Sequence, residues 1–193
     1  MPVDVFTPDA HLMSTPSLHP RIAEVIDALV QAQRELETTL AQVPAGREQE
    51  QPAGQGWSVA LIMEHLALIE DGAGRLLSNL IKQSGDAVET DDSPIAPTIE
   101  RFQVWNPRTR IEAPDMVQPR GIVNFADAVA QQAASRARLI AVLEQASGRA
   151  LATVSYPHPI LGPLNGYQWA LVTAQHQRRH IVQMAAVSSS LAS

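Results

Sequence analysis

The sequence predicts an all-α protein, a four-helix bundle with a long Pro-rich crossover between its second and third helices. Three observations lead there. Four segments carry apolar residues at helical spacing. Residues that cap helices stand at the starts of three of them. The one β-prone run, Leu151–Tyr156, is too short and too isolated to argue for a sheet.

Residues 1–18 carry Pro2, Pro8 and Pro16 with no sustained period, which predicts an extended arm ahead of a single domain over 19–187. The first helix starts near Pro20, a residue that suits a first turn because its missing N–H has no partner there anyway. Ile22, Val25, Ile26, Leu29, Leu36 and Leu40 form its apolar stripe, and Pro44 and Gly46 end it. A polar loop leads to Ser58, the N-cap of the second helix, whose stripe runs Leu61, Ile62, His65, Leu68, Ile69, Leu76 and Leu80. Gly72 and Gly74 interrupt it, marking either a close approach of another helix or a bend. Gly85 terminates it.

Residues 85–122 contain Pro94, Pro97, Pro107, Pro114 and Pro119, too many for a long helix. They are expected to pack over the bundle as an ordered crossover with a short helix near Ile99–Trp105. Asn124 caps the third helix, with Asp127 three residues on, and Gly148 closes it. Asn165 caps the fourth, with Gln168 as the reciprocal partner of a capping box. Its inward stripe is Trp169, Val172, His176, His180 and Met184, and residues 188–193 are expected to fray.

A net charge of -6 argues against a protein that grips nucleic acid by neutralising phosphates, and no Lys/Arg cluster reverses that. The absence of cysteine excludes disulfides, thiolate metal sites and cysteine nucleophiles. The N-terminal residues have neither a basic nor an apolar leader segment, and no apolar run is long enough to span a bilayer. The expectation is a cytoplasmic protein without a membrane partner.

The chemistry lies in histidines. His176 and His180, four apart on one helix, stack on the same face. His65 occupies the same kind of position on another helix. A lone histidine on an apolar face is more often a hydrogen-bonded core residue than a ligand, but three in one bundle without partners would be costly to bury. Neutral imidazoles on facing helices make a metal site and leave open positions for water or substrate. Gln177 stands where the zinc-protease motif has its glutamate base, so peptide hydrolysis by that route is disfavoured. Arg179 and Gln183 read as helix-orienting or outer ligand-supporting residues, and Glu64 as solvated or ion-paired.

Four segments carry a family resemblance. They are Trp57-Ser58 leading to His65-Leu66, and Glu112-Ala113-Pro114-Asp115 with Pro119 to Gly121. The others are Pro157-His158-Pro159 through Leu164 to Tyr167 and Trp169, and His176 to His180 with Gln183. Together these segments are similar to the DinB-like (DinB/YfiT-like) superfamily of metalloenzymes, in particular its larger DinB-like subgroup. The resemblance implies a four-helix bundle, often a homodimer, with one divalent metal held by His65, His176 and His180. Zinc or nickel is the first expectation, with iron or manganese as alternatives. It also implies a small-molecule substrate, with a low-molecular-weight thiol as a candidate co-substrate. Family chemistries include thiol transfer, a thiol-dependent maleylpyruvate isomerisation and metal-dependent hydrolysis. His158, in the Pro-rich turn, is a candidate proton shuttle beside the plainer reading of a surface turn histidine. The rival to an enzyme is a non-catalytic metal-binding bundle, structural or stress-related.

Overall fold

The computed structural model describes residues 17–52, 56–106 and 113–192. The expected arm over 1–18 lies almost wholly outside them, as do Pro107 and Glu112. Four long helices make up the bundle: α1 (Pro20–Leu40), α2 (Val59–Ser84), α4 (Phe125–Gln145) and α5 (Gly166–Ala192). A single-turn helix, α3 (Ala96–Ile99), and the 3-10 turn Glu100–Phe102 sit in the crossover, a few residues ahead of the short helix expected there. α2 packs along α4 and α5, and α1 along α5 and, less closely, α4. Consecutive helices α1 and α2 are therefore diagonal to each other, as are α4 and α5. No helix among the described residues is long and apolar enough to cross a membrane.

Local chemistry sets the helix starts. Ser58 Oγ accepts from the Leu61 amide at 3.2 Å, and Asn124 Oδ1 from the Asp127 amide at 2.9 Å. At α5 the capping box is reciprocal: Asn165 Oδ1 accepts from the Gln168 amide (2.9 Å), and Gln168 Oε1 accepts from the Asn165 amide (3.0 Å). α2 ends at Gly85, whose φ of 57° a side chain rarely adopts. Gly72 and Gly74 do not mark a close approach, because a Cβ at either position would meet nothing within 4 Å.

Three expectations need correction. Residues 155–158 do form a strand: β1 (Ser155–His158) pairs antiparallel with β2 (Gly162–Asn165), and Gly162 at φ 81° turns the chain between them. The strand was missed because its partner, Gly162-Pro163-Leu164-Asn165, has no strand-like composition of its own. Within the described residues the tail is helical. α5 runs to Ala192 because Leu191 is buried, Ser188 Oγ donates to the Gln42 carbonyl (3.1 Å), and Arg47 donates to the Leu191 carbonyl. The buried face of α2 is also rotated from the expected stripe: Met63, Leu66, Ala73 and Leu77 are inside and Leu68 is exposed. A helix wedged between two neighbours buries a broader arc than one stripe.

The core is two apolar clusters rather than one. The first includes Leu29, Ala32, Leu77, Leu80, Leu139, Leu143, Ala170 and Ala174. The second includes Leu36, Ile62, Met63, Leu66, Ala128 and Met184. Between them, at one level on all four helices, lies a polar layer. Arg136 forks onto Glu70, with Nε–H donating to Oε2 at 2.9 Å and Nη2 to Oε1. It also donates to the Leu29 carbonyl and to Gln177 Oε1. Gln33 Oε1 accepts from Gln132 (3.0 Å) and Gln177 (3.3 Å). Arg136 and Glu70 are 2% and 1% exposed, so neither charge has water to fall back on.

Removing one partner of such a pair strands the other charge in the core. Arg136→Met is expected to lower unfolding free energy by about 3–5 kcal/mol in urea titration. Adding Glu70→Leu should recover a large part of that loss. An unaffected single variant would show that water reaches Glu70.

Candidate metal centre

His65 lies in the first half of α2, while His176 and His180 project from successive turns of α5, the helix packed beside it. One ligand atom from each falls within 4.8 Å of the others, and His176 Nε2 and His180 Nε2 are 3.2 Å apart. His65 and His180 are 2% and 7% exposed, and His176 is half-buried. The structure thus brings together the three histidines that the sequence singled out.

Their remaining nitrogens fix two of the tautomers. His65 Nδ1 is 2.7 Å from the Val117 carbonyl, which can only accept, so Nδ1 carries the proton and Nε2 the lone pair. His180 Nδ1 meets Gln183 Oε1 at 2.8 Å with the same consequence. His176 Nδ1 is buried without a partner among the described residues. Burial first, and mutual repulsion of the charged forms second, hold His176 and His180 below the ordinary imidazole pKa, His180 being pushed down to about 3. The Gln183 hydrogen bond only partly opposes this at His180, and Arg179 adds to the depression of both. Burial lowers His65 as well, against a smaller rise from Val117. At neutral pH the three imidazoles are uncharged, and those of His65 and His180 turn their Nε2 lone pairs inward.

That donor set fits a divalent cation. Two lone pairs 3.2 Å apart repel unless a proton or a cation lies between them. A tetrahedral ion with metal–nitrogen bonds of about 2.0–2.1 Å sets its ligands about 3.3 Å apart. Two of the three imidazoles also donate their far nitrogen to a carbonyl oxygen, the arrangement that orients metal-ligating histidines. Among the described residues no carboxylate belongs to the group.

The surroundings are aromatic on one side. The Trp57 ring lies 4.9 Å from that of His65 and stacks on His180 at 6.1 Å and 15°. His158 is not part of the cluster. It ends β1, half-buried 5.0 Å from the Trp169 ring, and its Nδ1 accepts from the amides of Ile160 and Leu161 at 3.2 Å each. Trp105 and Tyr156 are about half exposed, so neither fills core.

A model of the DinB superfamily matches residues 28–184. The chain belongs to that superfamily, a metal-binding one. Its sequence is 23% identical over 143 residues to the uncharacterized protein YuaE of Bacillus subtilis (strain 168), covering 74% of this chain and 83% of that one. Its fold is similar to that of TT2238, described as a four-helix bundle protein. The TM-score is 0.57 at 18% identity, covering 84% of this chain and 95% of the other.

Sequence reasoning missed two groups beside the site. Glu64, read as solvated or ion-paired, is 5% exposed and accepts from the amides of Arg120 (3.2 Å) and Gly121 (2.8 Å). It thereby clamps the crossover segment that presents the Val117 carbonyl to His65. Nothing local betrays that role, because the partners are backbone groups far along the chain. Glu70 and Arg136 did leave a signal. Glu70 falls in the series Met63, Leu66, Ala73, Leu77, and Arg136 in Ala128, Gln132, Leu139, Leu143, both at core spacing. Charges at core positions of two helices announce buried polar groups, though not that they pair.

Glu64→Ala leaves two amides without their acceptor and is expected to cost about 1.5–3 kcal/mol in chemical denaturation. Glu64→Gln, which keeps one acceptor oxygen, should lose less. Equal losses would mean that packing rather than the carboxylate holds the crossover.

Proposed function

We propose that this protein is a metal-dependent enzyme that holds one divalent ion through His65, His176 and His180. In this reading it activates a thiol or a water for transfer to, or hydrolysis of, a small substrate. The observation that carries the reading is the convergence of three neutral imidazoles, two with their far nitrogens already bound to carbonyl oxygens. Zinc or nickel suits an all-nitrogen set best.

The residues divide the work as follows. Val117 and Gln183 hold the His65 and His180 rings so that Nε2 faces inward. Trp57 covers the two rings with an apolar face that keeps water from competing on that side. Three protein ligands leave further positions open, the layout of a catalytic rather than a sealed site. An ion bound there supplies Lewis acidity and lowers the pKa of a water or thiol taken as a further ligand. Gln177 is committed to Arg136 in the core and offers no base, which supports small-molecule chemistry over peptide hydrolysis.

Protein purified without a histidine tag is expected to contain about one equivalent of metal by elemental analysis. Readdition of zinc or nickel to chelator-treated protein should stabilise it by about 2.7 kcal/mol at a hundredfold excess over Kd. Both effects should vanish in His65→Ala and His180→Ala. Absence of stoichiometric metal, with a melting temperature indifferent to both ions, would refute the site. A panel of small thiols with a chromogenic electrophile then tests the chemistry: turnover that follows metal content and disappears in His180→Ala supports the enzyme. Full metal retention without turnover across the panel favours a non-catalytic metal-binding bundle.

A further inference from the structure

Gln177, Arg178 and Arg179 separate the paired histidines, and each is tied by its side chain to a residue outside α5. Gln177 is fully buried, takes a hydrogen bond from Arg136 of α4 and gives one to Gln33 of α1. Arg178 makes a two-pronged contact with Glu35 of α1 at 3.0 and 3.1 Å. Arg179 donates to the Asn106 carbonyl of the crossover. Of these, the Gln177 contact is the most buried and the most consequential, because Arg136 carries it onward to Glu70 of α2.

Glu70 is five residues along α2 from His65, about 7.5 Å of rise. Gln177 is one residue from His176 and three from His180. The bridge Glu70–Arg136–Gln177 therefore joins the two ligand-bearing helices within about two turns of the imidazoles, and it crosses the bundle diagonal to do so. A one-residue slip of α5 would move a ligand by 1.5 Å and turn it by 100°. Apolar side chains above and below the layer can repack around such a shift, whereas a guanidinium with all its acceptors fixed cannot. Fixing register is the best-attested use of a buried ionic group, since its net contribution to stability is often small.

We propose that Gln177 is a positioning residue of the metal centre: locked through Arg136 to Glu70, it sets α5 against α2 and so spaces His176 and His180 from His65 before any ion arrives. The inference rests on the three-histidine metal site proposed above. Gln177→Met tests it, because methionine matches the length but removes the acceptor, while Arg136 keeps Glu70 and the Leu29 carbonyl. Three quantities are compared with the wild type: the melting temperature of metal-free protein, the Co(II) dissociation constant and the visible d–d absorption of the Co(II) form.

The expected result is a metal-free melting temperature within a few degrees of wild type, Co(II) binding weakened at least tenfold, and d–d bands shifted in position or intensity. Wild-type affinity with an unchanged Co(II) spectrum overturns the proposal and leaves the metal site standing. If the wild type itself takes up no Co(II), the metal reading falls and this one with it. Should Gln177→Met fail to fold, the charge-neutral pair Glu70→Leu/Arg136→Met, which also releases Gln177, decides the matter on the same affinity and spectrum.

Discussion

Arg136 brings a full positive charge to the middle of the bundle, and the helices are arranged around satisfying it. Taking such an ion out of water costs several kcal/mol unless its donors are met with good geometry. Here a carboxylate from α2, a main-chain carbonyl from α1 and an amide oxygen from α5 meet it. Three helices thus converge on one side chain of the fourth. The price is a core split into two apolar clusters, with a polar layer where more leucine would have packed. Such a layer admits one arrangement of the helices, because any other leaves a buried donor or acceptor unpaired.

The crossover is held by the same logic in a simpler form. Glu24 accepts from the amides of Ile95 and Ala96 at 2.7 and 2.8 Å, as Glu64 does from those of Arg120 and Gly121. Near its beginning, Arg21 binds the Ser93 carbonyl and hydroxyl and pairs with Glu89 and Asp91. A Pro-rich segment has few main-chain partners of its own, so side chains from the bundle supply them. Fixing this segment has a direct consequence at the histidines, because the Val117 carbonyl is what holds His65 in its tautomer. The chain from helix-borne carboxylate to crossover to ligand orientation is short, and each link is a hydrogen bond.

Membership of the DinB superfamily and the three converging imidazoles point the same way, toward a metal-binding bundle. The family match covers residues 28–184, a span that includes all three histidines and the whole polar layer. Among the described residues Trp57 is the aromatic neighbour of the cluster, 4.9 Å from the His65 ring and stacked on that of His180.

The sequence by itself determined the four helices, three of their caps and the three histidines. Each depends on a pattern within a few residues: apolar positions at a spacing of three or four, a capping side chain reaching its own first turn, two imidazoles one turn apart. Glu70 and Arg136 left a signal there as polar residues at core spacing, but it went unread and did not say that they pair. Only the tertiary structure decided what faces what. It set the rotated face of α2, the pairing of β1 with a strand of unpromising composition and the docked C-terminal turn. It also set Glu64 on the crossover amides, the Val117 carbonyl against His65 and the link from Arg136 to Gln177. The reason is physical: periodicity records which side of a helix leaves water. Which partner waits there depends on how helices far apart in the chain are packed.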